Sequence, residues 1–192
     1  LKIFFNKKNK KLIDYYEFLS TLLGGFPEMR TFGSRAKNYL KNNDYDIIID
    51  NQSLSYGVRD LQKENPLIEI IHHPITKDYE HELETNNKFL YRLSRHRWYS
   101  FLKMQKKVAP KLQAIVTPSI NSLKDIAADF HCDPKNITVI NNGLDIDIFI
   151  PHKNIERRKF RLITTASADV PLKGLDYSLM ALNDLKDEYP NI

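Results

Sequence analysis

At 192 residues the chain has room for one good core, or for one domain and part of a second. Its 42% apolar and 28% charged residues exclude a disordered chain, and its one cysteine, Cys132, excludes a disulfide framework and a thiolate zinc cage. The net charge of +5, with lysines crowded into the opening "LKIFFNKKNKK", suits phosphates, anionic lipid headgroups or nucleic acid without choosing among them.

Residues 11–23 and 30–40 read as helices on either side of the turn "GGFPE". Four short apolar runs follow: "DIIID" at 46–50, "LIEII" at 67–71, "AIVT" at 114–117 and "ITVI" at 137–140. They are β-branched and nearly continuous in apolarity, as parallel strands covered on both faces are. Between the second and third, "YEHELE" belongs on the exposed face of a helix. Another helix carries Trp98, Phe101, Leu102, Gln105 and Val108 until Pro110 stops it. Ser119 can cap a helix with the apolar stripe Ile120, Leu123, Ile126, Ala127 and Phe130. After the fourth strand, "NNGLDIDIFIPHKNIERRKF" combines an Asn-Gly turn signal, Pro151 and a charged run, and reads as a linker. The strand-then-helix pattern then restarts, with "RLITT" at 161–165 as a strand and Pro171 opening a helix whose first turn holds Lys173.

Strand alternating with helix predicts a doubly wound α/β sheet. Its divisions are a partial first domain at 1–148, a linker at 149–160 and the start of a second domain at 161–192. The chain opens on Leu1 and closes inside a helical pattern, which reads as a fragment. No apolar run approaches the roughly 20 residues that span a bilayer and no signal-peptide pattern opens the chain, so a reducing, cytoplasmic setting fits best. The basic start leaves room for a peripheral membrane contact. Nucleic acid is disfavoured, because no interleaved basic and aromatic motif accompanies the charge.

Ligands of open α/β sheets bind beyond the carboxyl ends of the strands. The residues just past each predicted strand are Asn51 and Gln52, His72 and His73, Ser119, then Asn142, Gly143 and Asp145, and finally Ser167, Asp169 and Lys173. "IEIIHHPITKDYEHEL" invites a metal reading, yet "HELET" puts Thr85 where a zinc-protease helix needs its second histidine. His72 and His73 are adjacent, so an extended backbone sends them to opposite sides. What remains is a histidine at a strand's carboxyl lip, followed by Pro74, which forces an extended exit. In "ASADVPLKGLDY", Lys173 near a helix N-terminus forms a candidate phosphate clamp. Neither a Walker A loop, a Gly-x-Gly-x-x-Gly fingerprint nor a nucleophile elbow is present.

Three stretches together resemble the retaining GT-B glycosyltransferases of family 4. "AIVTPSINSLKDIAADFHCDPKNITVINNGLDIDIFIP" is similar to the region closing their first domain, and "ASADVPLKGLDY" to the opening of their donor-binding domain. "DNQSLSYG" with "IIHHPITKD" resembles first-domain segments of one branch. The likeness runs from about Phe26 onward. Its most specific part is the pattern of Ser119, Ile140, Asn142, Gly143, Asp145, Phe149 and Pro151. The resemblance implies two Rossmann-like domains facing across a cleft, with a nucleotide-sugar donor held mainly by the second and an acceptor of unknown kind. Lys173, with Ser167, Asp169 and Gly174 around it, would contact the donor diphosphate and stabilise the leaving group without a required metal or cofactor. His72 would face the transferred sugar, with Asn51, Gln52, His73 and Ser119 along the same edge. Asn142 and Gly143 would shape the hinge side. Ala166-Ser167 stands where many members have Gly-Arg. The family's Gly-rich loop and Glu-x7-Glu motif have no counterpart in these 192 residues, so this piece alone is expected to be inactive. The alternative is a non-catalytic α/β module that binds an anionic ligand.

Overall fold

In the computed structural model the described residues are 2–41, 43–151, 155–156, 158–165 and 174–190. They divide into two compact units, Leu1–Gly143 and Leu144–Ile192. Among them, no helix is long and apolar enough to cross a membrane.

The first unit opens with three helices, α1 (Lys2–Asn6), α2 (Leu12–Leu22) and α3 (Glu28–Leu40). Then β1 (Ile48–Asn51), α4 (Tyr56–Leu61), β2 (Leu67–Ile70), α5 (Thr76–Thr85), α6 (Phe89–Trp98), α7 (Leu102–Val108), β3 (Ile115–Thr117), α8 (Ile120–Phe130) and β4 (Ile137–Val139) follow. All four strands are parallel and stand side by side in chain order, β1-β2-β3-β4. This is the Rossmann-like α/β arrangement that the alternating pattern predicts. Every strand therefore runs out at the same edge of the sheet.

Burial alternates along β2, where Leu67 and Glu69 are buried and Ile68 and Ile70 half-buried, as a period of two requires. Leu67 and Ile71 join Leu54, Met104, Ile115 and Phe130 in one core cluster. The expectation of full cover on both faces fails at β1, where Ile49 is 60% exposed. Helix α8 starts at its predicted cap, with the Ser119 hydroxyl accepting from Ser122 N at 3.1 Å. Its inward residues Ile126 and Phe130 are buried, while Ile120 is 64% exposed.

Several expectations need correction. The helix around Trp98 is two helices, α6 and α7, joined by a 3-10 turn at Tyr99–Phe101, and Pro110 lies inside a further 3-10 turn, Ala109–Lys111. Proline is tolerated in the first turn of a helix, where the N–H groups have no acceptor within the helix. "YEHELE" lies on α5 but not wholly outward: Glu82 accepts from Tyr99 Oη at 2.9 Å and from Arg95 Nη1 at 3.1 Å, holding α5 against α6. Burial first, then the Glu82 carboxylate, pushes the Tyr99 hydroxyl well above its ordinary range.

In the second unit Asp145 Oδ1 accepts from Asp147 N at 3.0 Å and Ile148 N at 3.3 Å, a local turn. The run 161–165 is in no strand. A strand exists by its ladder, and among the described residues of this unit there is no second strand. The last helix, α9 (Leu175–Leu185), starts four residues later than expected, with Gly174 at φ 68° as its cap. That left-handed conformation cannot continue a right-handed helix, so α9 begins after Gly174; Pro171 and Lys173, expected in the first turn, lie outside the described residues.

Candidate functional site

The parallel order gathers the carboxyl ends of four strands, and with them most of the expected site. Asn51 ends β1, His72 and His73 follow β2, Ser119 follows β3, and Asn142 and Gly143 follow β4. At the β1 and β2 ends the side chains are hydrogen-bonded to one another. The Gln52 amide accepts from His72 N at 3.0 Å and donates to the His73 carbonyl at 3.0 Å. It thus extends the β1–β2 ladder by a side-chain rung beyond the last backbone pair, Asn51 with Ile70. Both ends of this amide are engaged within the protein.

His72 Nε2 lies 2.9 Å from Asn51 Oδ1. An acceptor there puts the ring proton on Nε2 and leaves Nδ1 of the neutral ring carrying the free lone pair. The ring is exposed, so Nδ1 is accessible to a ligand. His72 and His73 lie in a bend after β2, and His73 Nε2 meets Asp78 Oδ2 at 3.1 Å. The two histidines therefore serve separate partners.

Beneath this edge lies a pair that sequence reasoning missed. Asp50 and Glu69 are register partners on β1 and β2, both buried, so two carboxyl groups stand side by side on one sheet face. Asp50 Oδ2 accepts from Ser53 Oγ at 2.6 Å and Ser53 N at 3.1 Å, and Glu69 Oε1 accepts from Leu54 N at 3.4 Å. Between them they hold the loop after β1, where Gln52 and Leu54 both have positive φ, at 64° and 48°. Non-glycine residues rarely adopt that region unless their surroundings impose it. Burial, then the neighbouring Asp50 carboxylate, pushes Glu69 up to about 10, so it keeps its proton at neutral pH. The signal available in the sequence was a lone carboxyl inside the apolar run "LIEII".

Ser119 is committed to capping α8. Asn142 and Gly143 are exposed, and a side-chain carbon added at Gly143 would meet nothing. Gly174 carbonyl accepts from Ser178 N at 3.1 Å at the head of α9. Ser167, Asp169 and Lys173 lie outside the described residues. No group of three histidine, cysteine, aspartate or glutamate side chains able to hold a metal occurs among the described residues.

A comparison with a curated protein agrees with this geometry. Over 182 residues the chain is 40% identical to a protein named MMP alpha-(1->4)-mannosyltransferase from Mycolicibacterium hassiacum, covering 93% of this chain and 44% of that relative. The chain thus spans less than half the length of the relative it matches. The family description Glycosyltransferase Family 4 matches residues 9–148, most of the chain and nearly all of its first unit. The chain belongs to Glycosyltransferase Family 4.

Proposed function

We propose that the chain is part of a retaining glycosyltransferase that moves a hexose from a nucleotide-sugar donor to an acceptor. One observation carries the reading: in a member of this family, His72 stands oriented by Asn51 and Gln52 at the common carboxyl edge of the strands. The mannosyltransferase name of the 40%-identical relative supports mannose as the sugar. In this reading His72 faces the transferred sugar, offering Nδ1 to one of its hydroxyls. Asn51 fixes the ring's tautomer, and Gln52 fixes the backbone on which the ring is mounted. Lys173, with Ser167, Asp169 and Gly174 near it, supports the donor diphosphate by charge and backbone donors, with no metal or cofactor required. The division into a first domain at 1–148, a linker at 149–160 and a donor domain from 161 belongs to the same reading. So do a cytoplasmic setting and a peripheral contact of the basic N-terminus with the membrane.

The test, on the full-length protein, is sugar transfer from a panel of nucleoside-diphosphate sugars, mannose donors included, with the product's anomeric configuration read by NMR. Transfer with retention is expected, and Lys173→Ala should lower kcat/KM by about 100-fold, the scale of a lost leaving-group contact. An inverted product, or unchanged kinetics in the lysine variant, overturns the corresponding assignment.

A further inference from the structure

Away from the strand-end group, a cavity of about 300 Å³ opens in the first unit where α2, α3, α4 and α7 meet. Three of its twelve lining residues are cations, Arg30, Lys103 and Lys107, and none is acidic. Most carboxylates on the surrounding elements are taken by other cations: Asp14 by Lys7 and Arg35, Glu17 by Arg35, Asp60 by Arg59 and Lys37, Glu82 by Arg95; Glu28, exposed on α3, lines a different pocket. Among the described residues none pairs with Arg30, Lys103 or Lys107. Lys103 and Lys107 are four apart on α7, so their charges share one helix face and repel.

Arg30 is held by aromatic rings instead of an acid. Its guanidinium lies 5.5 Å from the centre of the Tyr16 ring and 5.7 Å from that of Tyr56. Stacking uses the face of the guanidinium and leaves its N–H edge available to an anion. Phe101 and Met104, both buried, supply an apolar wall, and Ser20 and Ser100 add hydroxyls. The volume is at the small end for ligand pockets. Tyr56 opens α4 five residues past Asn51, so the cavity lies toward the same end of the sheet as the strand termini.

Uncompensated positive charge, a ring-stacking wall and hydroxyls in a small cavity fit one class of ligand. We infer that this cavity binds an anionic sugar, one ring carrying a phosphate or carboxylate, with the anion on Arg30, Lys103 and Lys107 and the ring against the apolar wall of Phe101 and Met104. This concerns binding alone and goes beyond the transferase reading, so either stands if the other fails.

The probe is mannose 6-phosphate, titrated into the chain and followed by amide NMR, with mannose, inorganic phosphate and phosphatidylglycerol vesicles as comparisons. Saturable shifts centred on Tyr56, Phe101 and Lys103 are expected, with weaker binding of inorganic phosphate and none of mannose in the same range. Lys103→Ala/Lys107→Ala, a pair of exposed substitutions, should weaken the sugar phosphate by about tenfold or more while leaving the melting temperature unchanged. Arg30→Lys, which keeps the charge but loses the fork, should also weaken it. No saturation up to about 10 mM, at the weak limit of specific binding, overturns the inference. So does equal affinity in the double variant, equal binding of mannose, or binding of the vesicles without the sugar phosphate.

Discussion

Glu69 carries the most unusual chemistry of any single residue in the chain. It is fully buried beside Asp50 and keeps its proton up to about pH 10, while its ordinary value is 4.5. Between those values the unfolded chain binds fewer protons than the folded one, so this residue's contribution to stability is fully present below about pH 4.5 and falls as pH rises toward 10. The slope from this residue is at most about 1.4 kcal/mol per pH unit. Glu69→Gln keeps an acceptor for Leu54 N and a neutral donor toward Asp50, so its stability between pH 5 and 8 should be nearly flat. Chemical denaturation across that range checks this, and parallel profiles for the two proteins would contradict it. The residue was legible as an oddity in "LIEII", but its partner was not. Asp50 and Glu69 meet only through the strand register, which local pattern does not contain. Ser119 was legible because a cap and its helix are neighbours in sequence, and the hydrogen bond to Ser122 N spans three residues.

At the scale of elements, α3 and α4 pack backbone to backbone at Gly33 and Gly57. A side-chain carbon on Gly57 would come within 2.1 Å of the Gly33 carbonyl oxygen, and one on Gly33 within 1.7 Å of Ser55 Oγ. Backbone cannot yield as a side chain can, so Gly57→Ala must push the helices apart. It should destabilise the chain by about 3 kcal/mol, the upper range for overpacking. Thermal melting checks this, and a loss below about 1 kcal/mol would show that the pair can slide apart cheaply. The two helices are also joined by Lys37 and Asp60 at 2.9 Å. Arg59 first, and then Lys37, lowers the Asp60 carboxyl to about 2. Helices α2, α3 and α8 were legible from their apolar stripes, and the four parallel strands from their short, nearly continuous β-branched runs. Helix α4 was not foreseen, as six residues are too few to show a stripe. The start of α9 at Leu175 turns on Gly174, whose left-handed backbone caps it.

For the whole molecule, the sheet order matters most. Four parallel strands in sequence order bring residues 51, 72, 119 and 142, far apart in the chain, to one edge. The strand-end rule therefore placed Asn51, Gln52, His72 and His73 at one edge before any register was known. Their roles were less legible, since Gln52 and Ser119 are occupied within the protein, while the exposed His72 and His73 rings each use Nε2 alone, toward Asn51 and Asp78. Membership in Glycosyltransferase Family 4, read first from scattered motifs, now rests on residues 9–148 as a block. The basic charge that opened no single reading is in part resolved into a place, the cavity of Arg30, Lys103 and Lys107.

The most direct measurement compares sugar transfer and melting temperature of the wild-type protein with His72→Ala. The strand-edge site predicts a fall in kcat of about 100-fold with melting unchanged, because the ring is exposed and its removal disturbs no core. Unchanged turnover, or a loss of activity matched by a loss of folding, would contradict it and leave His72 a structural residue at the end of β2.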